Sequence, residues 1–315
     1  MTILFDRRSV AAGLGAFGAT AALGAPRMHK KIEGLTTWSE SAMVLYFDPE
    51  LRNGFSFRLS RYPDLGVTWL WCHVIQDGAF YGYTNQFLPS TPHHVTADQD
   101  PAVYDVPGME VRIVRTGPAG GAKLISFSAR VKAHRGDVAR DGDGAVPVEL
   151  AGVFHPGPVA HGNAQPGRYE RTGLVEAELK VAGRSVSLNG MSKAHEQTQT
   201  APRFMPSFTY AMLWGQEASL IGLLTKNVSL GDVEIGGADR AIAKFAVEKW
   251  SPSRKFLATL KDGSTVDGVA ETKFSYRVPV FDKLWNGNVV RARIGTHEAV
   301  GMINDWKPQD QPYGL

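Results

Sequence analysis

The chain has 315 residues, enough for one large or two ordinary domains, and 43% of them are hydrophobic, which is ample material for a buried core. Its 34 basic and 31 acidic side chains nearly cancel and are scattered, which excludes the basic patch of a nucleic-acid-binding protein. The single cysteine, Cys72, excludes an internal disulfide framework and any multi-cysteine metal site, and its apolar neighbours predict a buried thiol.

Residues 1–28 differ in composition from the rest of the chain. Paired arginines, Arg7 and Arg8, precede a weakly apolar, uncharged run from Val10 to Ala25, with small residues suited to cleavage at Ala19-Thr20-Ala21. This layout predicts a twin-arginine export signal and a periplasmic protein; the alternative is a cytosolic protein with a disordered tail. The run is too short and too poor in Leu and Ile for stable membrane insertion.

From Thr37 onward the dominant period of the sequence is two, as in "GLVEAELKVAG", where Val175, Leu179 and Val181 share one face. Many similar runs follow one another, separated by turn signals such as Asp77-Gly78 and Gly236-Gly237. Only "MHKKIEG" and "FDKLWNG" suggest short helical turns. Many strands at short spacing without intervening helices predict an all-β protein.

About eighteen strand-like runs are too many for one small barrel, so we expect two β-barrels or sandwiches in tandem. The most loop-like stretch, residues 133–168, is rich in Gly, Pro, Asp and His and predicts a long connection in the first unit. The expected organisation is an export signal or disordered tail at 1–28, an N-terminal domain at 29–195 and a C-terminal domain at 196–315.

Motifs for several common chemistries are absent from the sequence. It contains no G-x-S-x-G elbow, no P-loop and no H-E-x-x-H metal motif, and the formal G-x-G-x-x-G in "GLGAFG" follows no strand. These absences predict no dinucleotide or P-loop cofactor site and no metal; the alternative is a metal site assembled from histidines distant in sequence.

The strands do carry residues suited to acid–base chemistry on an apolar molecule. Such chemistry needs a proton donor or acceptor in a dry cavity, and aromatic faces that stabilise developing positive charge. Trp71 and His73 share a strand face, as do Tyr210 and Trp214, and these four are candidates for substrate binding. The candidate acid–base carboxylates are Glu40 and Asp305.

Three segments, taken in order, resemble the lipocalin-like hydratase group. They are "WSESAMVLYFDPELRNGFSFRLSRYPDLGVTWLWCHVIQDGAFYGYT", "YERTGLVEAELKVAGRSVSLNGMSKAHEQT" and "HEAVGMIND". The group includes carotenoid hydratase and kievitone hydratase and is related more distantly to tocopherol cyclase and lipocalin-like Diels-Alderases. The resemblance implies two lipocalin-like β-barrel domains, with a pocket in or between them, and no redox cofactor.

The resemblance also implies a functional histidine, which falls on His195. The group's Asp-His-x-Trp-Gly reads Ala194-His195-Glu196-Gln197-Thr198 here, so only the histidine carries over and a residue distant in sequence must orient it. Glu196, a further candidate for substrate binding, should point away from His195 on a regular strand.

Together these features predict a hydratase or dehydratase that acts on a terpenoid or similarly apolar small molecule without a cofactor. His195 would be the acid–base group, assisted by Glu40 or Asp305. The alternatives are an isomerase or cyclase that uses the same pocket, and a periplasmic carrier that only binds lipid or isoprenoid.

Overall fold

A computed structural model describes residues 38–96, 98–117, 121–136, 144–161, 167–199, 207–225, 229–280 and 283–308. The predicted export signal at 1–28 and the segment "MHKKIEG" lie outside these residues. The first ten strands are β1 Ser39–Phe47, β2 Gly54–Tyr62, β3 Val67–Gln76, β4 Ala79–Pro89, β5 Ala102–Asp105, β6 Val111–Thr116, β7 Leu124–Arg135, β8 Val146–His161, β9 Arg168–Val181 and β10 Arg184–Gln199. The last eight are β11 Phe208–Trp214, β12 Ala218–Thr225, β13 Ser229–Ile235, β14 Ala238–Val247, β15 Ser253–Leu260, β16 Thr265–Val280, β17 Lys283–Ile294 and β18 His297–Pro308.

The protein is all-β, as predicted, and its strands form two sheets. The first has the order β4-β3-β2-β1-β10-β9-β8-β7-β6-β5, and it curls back on itself because the end of β7 also pairs with β4, through Tyr81 opposite Arg135. The second, β11 to β18, is a closed eight-stranded barrel in which each strand pairs with its neighbours in sequence and β11 pairs with β18. We call the two units the N-terminal and the C-terminal barrel.

Two-residue turns fix the register of several hairpins. Asp77-Gly78 joins β3 to β4 with φ values of 52° and 77°, and Gly236-Gly237 joins β13 to β14 with 59° and 81°. Two successive left-handed residues match the right-handed twist of the flanking strands, which is why the pair Asp-Gly or Gly-Gly signals such a turn.

Alternation along the strands divides the buried residues into three clusters. One fills the N-terminal barrel and includes Cys72, whose thiol pKa is raised by burial to about 12, and another fills the C-terminal barrel. The third lies between the barrels, where outward-facing residues such as Trp71 pack against Trp285 and Met302. Each buried large apolar side chain contributes about 1.5–3 kcal/mol. The aromatic interface therefore holds the two barrels together.

The structure corrects the prediction of a long loop over residues 133–168. Strand β8 occupies Val146–His161 within it, despite Pro156 and Pro158. Its pairing with β7 ends at Phe154, and its register to β9 shifts between Pro156 and Ala160. Proline is tolerated at such places because a strand neighbour is missing on one side or the ladder is interrupted.

Two further sequence expectations differ in detail from the structure. "FDKLWNG" was expected to form a short helical turn, but from Lys283 onward it belongs to β17, whose partners β16 and β18 supply the hydrogen bonds a helix would have made locally. The expected domain boundary at 195/196 falls inside β10, which continues to Gln199. The first strand of the C-terminal barrel begins at Phe208.

Candidate functional site

A cavity of about 140 Å³ opens at one end of the interface between the barrels. Its walls are aromatic, and the rings are those of Tyr62, Trp69, Trp71, Phe208, Tyr210, Trp285 and Trp306. The edge of Trp71 meets Trp285 from the other barrel with ring centroids 5.2 Å apart, so the two barrels build the wall jointly. The polar lining includes Arg58, Arg168 and His195.

His195 reaches this cavity because it lies on the outer face of β10. Its cross-strand neighbour on β9 is Glu170, and Nδ1 of His195 lies 2.7 Å from Oε1 of Glu170. Directly opposite residues on antiparallel strands point to the same side of the sheet. Glu170 is thus the distant residue that orients His195, in place of the aspartate missing from the Ala194 position. Nε2 is then the ring nitrogen available to a molecule in the cavity.

Glu170 is fully buried and is the centre of a polar network. Its carboxylate makes ion pairs of 2.6 Å with Lys193 and with Arg168, and it accepts a hydrogen bond from the hydroxyl of Tyr210 in the other barrel. Arg168 also donates to the Tyr210 hydroxyl. Since buried charges need both a counter-charge and hydrogen bonds, the network fixes the position of the imidazole.

The network sets the protonation states of its members. Burial alone would raise the pKa of Glu170, but Lys193, His195 and Arg168 together hold it well below the ordinary value. Burial lowers the pKa of His195 to about 4, although the Glu170 carboxylate acts in the opposite direction. At neutral pH His195 is therefore a neutral imidazole that donates through Nδ1 to an ionised glutamate and carries a lone pair on Nε2.

Three buried hydrogen-bond donors line the cavity without a partner among the described residues. They are the hydroxyl of Tyr62 and the indole N–H groups of Trp71 and Trp285, on side chains at most 6% exposed. The guanidinium of Arg58 lies 5.5 Å from the centre of the Trp71 ring. Unsatisfied buried donors are costly, so the cavity suits a molecule that carries oxygen acceptors as well as apolar surface.

Glu196 points away from His195, as predicted. Its carboxylate lies inside the N-terminal barrel, 2.6 Å from both Lys123 Nζ and the Tyr104 hydroxyl and 3.2 Å from Arg115 Nε. It does not line the cavity, so the structure gives it no contact with a substrate there.

Glu40 and Asp305 are held inside the two barrels rather than at the cavity. Glu40 pairs with Arg61 at 2.6 Å and accepts the indole N–H of Trp38, and burial raises its pKa despite these partners. Asp305 pairs with Arg254 at 2.9 Å. Each carboxylate neutralises a buried arginine, and the structure does not bring either to His195.

All four aromatic candidates for substrate binding lie in the interface between the barrels, but only two of them line the cavity. The four are Trp71, His73, Tyr210 and Trp214. Trp71 and Tyr210 line the cavity. His73 shares the outer face of β3 with Trp71, yet it contacts Tyr276 at a ring-centroid distance of 4.0 Å outside the cavity, and burial lowers its pKa to about 3. Trp214 lines a second cavity, of about 780 Å³, elsewhere in the interface.

Sequence reasoning missed Glu170, Arg168 and Lys193. Glu170 stands in the "YERTG" segment that carries part of the family resemblance, and this was the available signal.

The described residues contain no group of three or more His, Cys, Asp or Glu side chains placed to hold a metal ion. In that same part of the chain, no helix has the length and apolar character needed to cross a membrane.

We expect Glu40→Ala to lower the free energy of unfolding by about 3–5 kcal/mol, because Arg61 would lose its counter-charge while remaining buried. Urea denaturation measures the change. The chemistry of the cavity should not change, since Glu40 does not line it. If the free energy of unfolding were unchanged and turnover of a substrate were lost, Glu40 would again be a catalytic candidate.

Comparison with known proteins shows likeness in fold. No family model and no curated protein sequence matches the chain. Among solved structures, a protein from Nitrosomonas europaea with the provisional designation AttH has a TM-score of 0.56 at 10% identity, over 96% of this chain and 100% of that one. CghA, solved with Sch210972, has a TM-score of 0.53 at 9% identity, over 87% of this chain and 89% of that one.

A third solved structure, kievitone hydratase from Nectria haematococca, has a TM-score of 0.50 at 8% identity, over 90% of this chain and 95% of that one. All three likenesses extend over most of both chains. They establish a shared two-barrel, lipocalin-like fold, and they support the resemblance to the hydratase group at the level of the fold.

Proposed function

We propose that this protein is a hydratase or dehydratase that needs no cofactor and acts on a terpenoid or similarly apolar molecule. The observation that carries the proposal is a buried, neutral His195, oriented by Glu170, in the wall of an aromatic cavity between two barrels. A histidine oriented by a carboxylate is a general base, and the aromatic walls bind an apolar skeleton. The fold shared with a hydratase supports the same reading.

Because His195 is neutral, it favours a reaction in which its imidazole first accepts a proton. A neutral imidazole cannot protonate an isolated alkene, but it can remove a proton from water as that water adds to an alkene conjugated with a carbonyl group. The alkene electrons then move onto the carbonyl oxygen, and the protonated His195 returns its proton to the neighbouring carbon. Atoms and charge balance, and His195 ends neutral, as it began.

The unpartnered donors around the cavity support a substrate of this kind. Negative charge develops on the carbonyl oxygen during the addition, and donors such as Tyr62 and Trp71 would stabilise it in a site shielded from water. A cavity of about 140 Å³ is close to the size that holds benzene. It would therefore take the reacting end of a longer apolar molecule.

Incubation with citral, a terpenoid with a conjugated aldehyde, tests the proposal. A hydratase should remove the conjugated ultraviolet absorbance and add the mass of one water. Interconversion of the two geometric isomers without mass gain would instead identify an isomerase. Citral that binds unchanged would indicate a carrier, and citral that neither binds nor reacts would contradict the proposed substrate class.

The hydration rate should depend on pH through His195. Because the pKa of His195 is about 4 and only the neutral ring accepts a proton, kcat/KM should stay constant from neutral pH downward and fall as the pH passes below about 4. A pH–rate profile with citral measures this dependence. A rate that rises on acidification would contradict the role of His195 as a base.

A further inference from the structure

A small inner chamber continues inward from the cavity. Its volume is about 20 Å³, and it shares five lining residues with the outer cavity: Arg58, Trp71, His195, Tyr210 and Trp285. A molecule whose reacting end lies in the cavity would therefore face this chamber directly. The polar residues that line only the chamber include Ser56 of the N-terminal barrel and Asn304 of the C-terminal barrel.

The volume of the chamber fits one water molecule. A water needs roughly 10–15 Å³ of accessible space, and two to four polar partners, to occupy an internal site. The chamber meets the first requirement, and Ser56, Asn304 and His195 supply polar atoms for the second. An apolar substrate group larger than a methyl would not fit.

Asn304 provides an independent sign that the chamber is hydrated. Its side chain is 2% exposed, and its Oδ1 accepts no hydrogen bond from the described residues. The residue lies on β18 between Met302 and Trp306, which face the interface like Asn304 itself, whereas Asp305 faces the barrel interior. A buried amide oxygen without a donor is costly, and a water in the chamber would remove that cost.

We propose that the inner chamber holds the water molecule that is added to the substrate, with Asn304 as its positioning residue. This inference rests on the proposed hydratase function. The water donates one hydrogen to Oδ1 of Asn304 and the other to Nε2 of His195, which leaves an oxygen lone pair directed at the substrate in the outer cavity. As the carbon–oxygen bond forms, the second hydrogen passes to His195 as a proton, and the alkene electrons move to the carbonyl oxygen.

A crystal structure of the unmodified protein tests the binding part of the inference. We expect an ordered water within hydrogen-bonding distance of Oδ1 of Asn304 and Nε2 of His195. A chamber closed by neighbouring side chains, or an amide oxygen satisfied by another residue, would overturn the inference. This measurement does not depend on catalysis, so it holds even if the protein proves not to be a hydratase.

The variant Asn304→Leu tests the positioning role. Leucine has the same branched arrangement of side-chain heavy atoms as asparagine, although it is bulkier, and it cannot accept a hydrogen bond. Hydration of citral should therefore fall roughly a hundredfold in kcat, the effect of losing one positioned partner, with KM little changed. Exchange of the acidic γ-hydrogens of citral in heavy water should persist, because His195 can take them without the chamber water. Loss of hydration with retained hydrogen exchange would show that the water is lost while the fold is intact.

Asn286→Leu is the matched control. Asn286 is also 2% exposed and lies on the neighbouring strand β17, but it does not line the chamber. It should change stability without a hundredfold loss of kcat. Hydration by Asn304→Leu at the unmodified rate would overturn the inference and leave the proposed function intact. Absence of hydration by the unmodified protein would instead refute the proposed function.

Discussion

Replacement of His195 by alanine is expected to lower the turnover of citral roughly 10²–10⁴-fold, the usual contribution of a positioned general base. The variant removes the imidazole that links the Glu170 carboxylate to the cavity. The fold should survive, because Glu170 keeps its ion pairs with Lys193 and Arg168. Steady-state kinetics and urea denaturation of the same preparation measure both quantities.

The chain offers a close control for this substitution. His297 also pairs with a glutamate, with its Nδ1 2.9 Å from Oε2 of Glu217, but it lines the second cavity. His297→Ala should leave the turnover of citral unchanged. Added imidazole should partly restore the rate of His195→Ala, since the truncation leaves room for a free imidazole beside Glu170. Turnover of His195→Ala at the unmodified rate would remove His195 from the mechanism.

The second large effect is expected for Glu170→Gln. Glutamine keeps the shape of glutamate but removes the charge that neutralises the buried Lys193 and the partly buried Arg168, so the free energy of unfolding should fall by about 3–5 kcal/mol. Turnover per folded molecule should also fall, by roughly 10²–10⁴-fold, because the neutral amide no longer enforces the Nδ1–H tautomer or stabilises the imidazolium that forms on His195.

The stability effect has a definite pH dependence. The pKa of Glu170 is well below its ordinary value in the folded protein, so the carboxylate contributes its full stability above the ordinary pKa of a glutamate. As the pH falls through the lowered pKa, that contribution is lost. The difference in unfolding free energy between the unmodified protein and Glu170→Gln should therefore shrink in acid, which denaturation at several pH values measures.

Glu196→Gln separates chemistry from stability. This substitution also removes a buried carboxylate from two cations, Arg115 and Lys123, and it does so next to His195 in sequence but on the opposite strand face. It should cost a similar amount of stability with little effect on turnover per folded molecule. Equal losses of turnover in the two variants would show that loosening of the fold, rather than the orientation of His195, limits the reaction.

Local signals in the sequence predicted many of the strands, although they missed β8 and the start of β17. Period-two alternation, as from Val175 to Val181, predicted strands whose buried and exposed residues alternate in the structure. Asp77-Gly78 predicted a hairpin that does form. The same alternation placed His195 and Glu196 on opposite faces of β10. These predictions hold because side-chain direction in a strand depends only on the count of residues along it.

The alternation of buried and exposed residues is lost in strands that are covered on both faces. The residues from Lys193 to Glu196 are all buried, since the outer face of β10 packs against the C-terminal barrel while its inner face lines the N-terminal one. Alternation cannot distinguish a polar residue that ends a strand from one that belongs to a buried network. For this reason the sequence favoured Glu40 and Asp305, each of which is bound to an arginine inside a barrel, and missed Glu170.

The sequence by itself determined the all-β class, because composition and alternation are local properties, and the resemblance to the hydratase group pointed to two barrels and to His195. Only the tertiary structure decided that Glu170 orients His195, since strand register brings together residues 25 positions apart in the chain. It also decided that Tyr210 and Trp285 complete the cavity, because the two barrels meet there. Contacts between distant segments depend on the packing of whole sheets, which no local pattern of residues encodes.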